Sequence, residues 1–152
     1  MAKLFSERLR DVRTYYDYSQ RELADMLGVT RTVYTDWELY RKVIPLKYLN
    51  KLANFYKVNI DYLLGLTDIT TKVNLVDLDI NIISSNLFNL RTELNLTTRE
   101  FANILHISNS SVTRYEKAKI LISTSACYSI ARNYNISIDY ILGRSKIKYI
   151  NQ

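Results

Sequence analysis

The chain has 152 residues, 47% of them hydrophobic, with three Gly and one Pro, enough apolar material for a core and too little Gly and Pro for a linker-rich or collagen-like chain. Its net charge of +6 points to an acidic partner. No run approaches the eighteen or so apolar residues of a membrane span, and the opening "MAKLFSERLR" is charged throughout, unlike a secretory signal, so a cytoplasmic location is expected.

Cys127 and His106 are each alone of their kind. That excludes an internal disulfide, a cysteine zinc cluster and a triad built on histidine. Cys127, within "TSACYSIARNY", reads as a core filler, and no metal site, cofactor or catalytic residue is expected.

Slid against itself by 78 residues, the chain aligns Leu4–Leu66 with Ile82–Arg144 without a gap, and Arg13, Arg21, Glu22, Ala24, Thr35, Glu38, Asp61 and Gly65 are among the residues that meet their own kind. A period this long suits a complete small domain rather than a solenoid unit. Each element is therefore read twice. The first helix, about Leu4 to Tyr16, spaces Leu4, Phe5, Leu9 and Val12 helically, and Ile82, Ile83, Leu87 and Leu90 answer it. Ser19 with Glu22, and Thr97 with Glu100, open a second helix through a capping box. Leu23, Ala24 and Leu27 form its buried stripe, and Gly28 ends it because Gly tolerates positive φ. Thr30 and Ser108 suit the N-cap of a third helix running to about Tyr40 and Ala118. Pro45 fits the first turn of a fourth, and Asn59 or Ser137 caps a short fifth that stops at Gly65 or Gly143. Only "LDINI" in the joint has strand-like alternation.

The expected organisation is a domain over residues 1–66, a linker over 67–81, and a second domain with a short tail over 82–152. Their net charges are +3, −2 and +5. The joint "TDITTKVNLVDLDIN" would span about 50 Å if fully extended. Ile69, Val73, Leu75, Val76, Leu78 and Ile80 make it too apolar for a free tether, so it is expected to pack on one or both halves and fix their angle.

A capped helix, a tight turn and another capped helix make the helix-turn-helix plan. Both halves resemble the helix-turn-helix domain of the Xre and lambda-type phage repressors. The resemblance rests on Arg13, "SQRELADMLGVT", Glu38 and "VNIDYLLG" in the first copy, and on Arg91, "TTREFANILHIS", Glu116 and "ISIDYILG" in the second. It implies an all-α fold of two tandem five-helix domains. It also implies, with the equal spacing in both copies, that Arg13 pairs with Glu38 and Arg91 with Glu116.

On the third helix, Val29, Tyr34 and Trp37, like Ile107, Val112 and Tyr115, fall on the face that packs on helix 2; core packing is the expected role of Trp37 and Tyr115. Arg31, Thr32, Thr35 and Asp36 are left facing outward, with Asn109, Ser110, Thr113 and Arg114 as counterparts. These are groups of the kind that reach base edges and phosphates in a major groove. By resemblance, Gln20 and Thr98 would grip backbone phosphate, as would Arg41 and Lys42, or Lys117 and Lys119. The scaffold repeats while the reading surface varies, which implies an asymmetric or imperfectly repeated DNA site.

Three features depart from the family: His106 stands where the first copy has Gly28, Tyr40 and Ala118 stand where Gly is common, and Asp36 places a carboxylate before a polyanion.

The function these residues favour is a sequence-specific DNA-binding transcriptional regulator, a repressor, reading the major groove with the third helix of each domain. The alternative is an antitoxin or protein-binding adaptor reusing the fold. An enzyme is disfavoured, because the sequence offers no metal cluster, phosphate-cradling Gly loop or nucleophile with a base partner. The expected partner is double-stranded DNA, with room for a homodimer, and without membrane or small-molecule ligand.

Overall fold

The structure, a computed structural model, describes residues 2–150, and side chains from residue 7. It contains α1 (Ala2–Tyr15), α2 (Gln20–Leu27), α3 (Arg31–Glu38), α4 (Leu46–Tyr56) and α5 (Ile60–Leu63), then α6 (Ile80–Glu93), α7 (Thr98–Leu105), α8 (Asn109–Glu116), α9 (Thr124–Tyr134) and α10 (Ile138–Ile141). Among the described residues there is no strand, only an isolated bridge between Ile136 and Tyr149. The strand-like "LDINI" instead runs into the start of α6, with the Asp79 carboxylate accepting from the amides of Asn81 and Ile82. The chain divides into two compact units, the first ending at Lys72 and the second running from Val73 to Ile150.

In the first unit α1 packs on α3 and α5, and α2 packs on α3 and α4. Leu9, Val12, Leu23, Ala24, Leu27, Tyr34, Trp37, Leu49, Leu52 and Ile60 fill its core. The expected contribution of the Leu4 and Phe5 side chains lies outside the described residues. In the second unit α6 packs on α8 and α10, and α9 packs on α7 and α10. Ile83, Leu87, Leu90, Phe101, Leu105, Val112 and Ile138 are buried there, with Cys127 at 0% exposure as the expected core filler. Ile82 departs from its expected place in the stripe and is half exposed. Its Cγ2 lies where a Cβ added to Gly143 would come within 3.1 Å.

The predicted caps form. Ser19 and Thr97 each close a capping box with Glu22 and Glu100, and Thr30 and Ser108 accept from Val33 N and Ser111 N. α3 and α8 stop at Glu38 and Glu116, two residues sooner than the sequence suggests, because Tyr40 and Ala118 both turn left-handed at φ 56°. Pro45 stands at the N-cap of α4, one residue before the helix. The positive-φ residues fall at matching places in the two units: Asp17 and Asn95, Gly28 and His106, Tyr40 and Ala118, Lys57 and Asn135, Gly65 and Gly143. Most side chains cost about 1–2 kcal/mol in this region, so it is the surrounding packing that dictates these five corners.

Asn59 corrects one expectation. It occupies the N-cap position of α5 but makes no cap bond. Its Oδ1 accepts from Thr71 N at 3.1 Å and its Nδ2 donates to Ile69 O at 3.4 Å. A carboxamide has both a donor and an acceptor and can clamp a passing backbone. Ser137, its counterpart, caps Tyr140 N at 3.2 Å. The first residues of the joint thus pack within the first unit, and Asn74 N donates to Arg144 O at 2.8 Å within the second. The tail folds back as Ser137 N donates to Lys148 O and Ile150 N to Asn135 O.

Candidate nucleic-acid interface

In each unit the first helix and the end of the third are tied together by a largely buried charge pair. Arg13 Nε and Nη2 donate to the two oxygens of Glu38 at 2.6 and 3.1 Å, and Arg91 Nε and Nη2 to those of Glu116 at 2.7 and 2.9 Å. Each guanidinium spends its remaining arm on a carbonyl past the end of its own helix, Tyr18 O or Leu96 O, at 2.9 Å. These are the two predicted pairs, each bidentate, the geometry that makes an arginine–carboxylate bond strong. The hydrogen bonds they donate to Glu38 and Glu116 hold both guanidinium groups above their ordinary range.

The first unit adds two donors to the carboxylate. Gln20 Nε2 donates to Glu38 Oε2 at 2.8 Å and Tyr34 Oη to Oε1 at 3.0 Å. Burial, then the charge of Glu38, pushes the Tyr34 phenol far up. The second unit has Thr98 and Val112 at these positions. Tyr34, Trp37, Val112 and Tyr115 are buried, as the core reading of the third helices requires.

The outward residues fall as follows. Arg31, Thr32, Arg41, Lys42, Asn109, Ser110, Arg114, Lys117 and Lys119 are exposed, and Gln20, Thr35, Asp36, Thr98 and Thr113 are half-buried. Thr35 Oγ1 donates to Gln20 Oε1 at 2.9 Å, whereas Thr113 Oγ1 turns to its own helix and donates to Asn109 O at 3.3 Å. Ser110 Oγ lies 3.1 Å from the capping Ser108 Oγ. Asp36 and Arg41 pair with each other at 3.5 Å, the carboxylate only 16% exposed and the guanidinium 66%. The acidic group anticipated as a repulsive element thus carries a counter-charge.

A concavity of about 450 Å³ opens between Arg13, Ser19, Gln20, Arg21 and Arg31, at the amide-rich start of α2, where a helix end favours an anion. Arg21, absent from the residues expected to meet DNA, lines it. Its identity with Arg99 across the repeat was the signal that could have found it.

A family model described as helix-turn-helix matches residues 9–63 and again residues 87–141. The chain belongs to this Xre-like helix-turn-helix family. It is similar to the SPbeta prophage-derived uncharacterized HTH-type transcriptional regulator YonR of Bacillus subtilis, 44% identical over 61 residues that cover 40% of this chain and 56% of the relative. The uncharacterized HTH-type transcriptional regulator YobD of the same organism is 37% identical over 65 residues, 43% of this chain and 58% of the relative. Antitoxin PezA of Streptococcus pneumoniae is 37% identical over 65 residues, 43% of this chain and 41% of the relative. The chain spans about half the length of these curated relatives. No solved structure matches it significantly. No helix among the described residues is long and apolar enough to cross a membrane.

Proposed function

We propose that the protein is a sequence-specific DNA-binding transcriptional regulator that acts as a repressor, reading the major groove with α3 and α8. The observation that carries this reading is the duplicated frame itself. Two third helices are each held by a largely buried bidentate pair, one leaving Arg31, Thr32, Thr35 and Asp36 outward and the other Asn109, Ser110, Thr113 and Arg114, beside exposed Arg and Lys. In such a site the cations and helix starts grip phosphate while the polar face reads base edges. Gln20, Arg41, Lys42, Thr98, Lys117 and Lys119 are assigned to phosphate. Arg31, Thr32, Thr35, Asp36, Asn109, Ser110, Thr113 and Arg114 are assigned to the groove. Footprinting on the DNA that flanks the protein's own gene tests this: a protected stretch with two unlike halves is expected, and uniform cleavage across the region would remove the repressor reading.

The similarity to Antitoxin PezA supports a second reading, in which the protein neutralises a small partner protein. Stoichiometric co-purification with the product of an adjacent gene, with no protection of DNA, would favour it.

A further inference from the structure

The hydrogen bonds that tie the first recognition helix to the core run in one direction only. The Glu38 carboxylate, clasped by both arms of Arg13, can only accept. Gln20 must therefore turn its amide nitrogen to Glu38, at 2.8 Å, which leaves its carbonyl oxygen facing Thr35. An amide oxygen also only accepts, so the Thr35 hydroxyl proton points at it, over 2.9 Å. Thr35 has then spent its one donor inside the protein. Towards solvent it offers lone pairs alone.

Only some base edges suit such a group. In the major groove adenine N6 and cytosine N4 donate, while guanine O6 and N7 and thymine O4 accept. We infer that Thr35 is a specificity-determining residue whose hydroxyl is fixed as an acceptor by the Arg13–Glu38–Gln20 relay, so that the first recognition helix selects an amino-bearing base, adenine or cytosine, at the position it faces. This rests on the major-groove reading above. The second unit supplies the natural contrast. Thr98 replaces Gln20 and cannot extend the relay. Thr113, identical to Thr35 across the repeat, makes only a 3.3 Å bond to its own helix. That longer bond within the helix can be given up, so the hydroxyl can turn to donate or to accept, and the second head tolerates either kind of edge there.

The test is a set of duplexes in which each position of the natural site is replaced in turn by the other three bases, with affinity measured for the full-length protein. Wild type should prefer adenine or cytosine over guanine or thymine at one position in one half of the site, by roughly fivefold, the scale of one hydrogen bond. Gln20→Thr, which copies the second unit, should flatten that position to within about twofold and leave the ranking elsewhere unchanged. Thr35→Val should do the same, while Thr35→Ser should keep the preference. Sequence-specific binding in which Gln20→Thr and Thr35→Val leave every positional preference intact would overturn the inference and spare the DNA-binding reading. A wild-type protein with no positional preference at all would overturn both.

Discussion

Glu38 and Glu116 are the same residue in the same place, yet they do different amounts of work. Glu38 accepts from Arg13, Gln20 and Tyr34, and Glu116 is held by Arg91. Removing either strands a guanidinium that is only 13% exposed, which costs about 3–5 kcal/mol for a buried pair. Glu38→Ala should fall at the top of that range, because it also orphans a buried phenol, and Glu116→Ala below it; denaturant unfolding of the two variants checks the order. The outward residues make a second comparison. Arg114 is exposed on the face of Asn109 and Ser110, so Arg114→Ala should weaken specific binding by about 1–3 kcal/mol and relax one base position. Asp36→Ala should leave affinity unchanged or raise it, since it releases Arg41 for phosphate. Titration of both against the natural site decides, and a larger loss for Asp36→Ala than for Arg114→Ala would overturn this expectation. The two ion pairs were legible because their spacing occurs twice. The Thr35–Gln20–Glu38 relay was not, because it depends on how two helices cross, and the repeat breaks at Gln20.

The helices themselves were legible where chemistry marks their ends. Ser19 and Thr97, each three residues before a glutamate, announce a capping box, and both boxes form. The left-handed corners were less visible. Gly28 signals one, but Lys57 turns at φ 58° only because the chain must close α4, with Val58 N reaching back to Ala53 O at 3.0 Å. Nothing in the residue type demands it. The corner between α2 and α3 and that between α7 and α8 offer a measurement, since Gly28 has φ 73° and His106 φ 56°. A Cβ on Gly28 would meet nothing within 4 Å, so Gly28→Ala should cost backbone strain alone, about 1–2 kcal/mol. While the freedom of the unfolded chain offsets both changes alike, His106→Gly relieves a smaller strain, because His enters this region more readily than most side chains. It should therefore stabilise the second unit by less than the alanine destabilises the first, which thermal unfolding of the single variants can compare.

At the scale of the whole chain, the number of heads that engage DNA should appear in the salt dependence. Two heads making three or four phosphate contacts each give a log–log slope of about −6, and one head about half that. Titrations at several salt concentrations separate the two, and a slope near zero would exclude DNA as the partner. The duplication was plain in the sequence because a gapless offset needs no structural knowledge to see. The fully buried pair of Arg144 and Asp139, 2.9 Å apart at 0% and 1% exposure, could not be read that way, because Arg144 aligns with Leu66 and the repeat is silent there. The matched corners carry a further consequence. Gly28 with His106, and Tyr40 with Ala118, bracket the third helix in the same backbone conformation in both units, so its outer face is an interchangeable cartridge in a fixed socket. Grafting Asn109, Ser110 and Arg114 onto positions 31, 32 and 36 should move the base preference of the second head to the first everywhere except at the position Thr35 faces, as binding-site selection would report. Exchanging the entire helix should fail, because Val112 would arrive in place of Tyr34 and leave Glu38 one donor short.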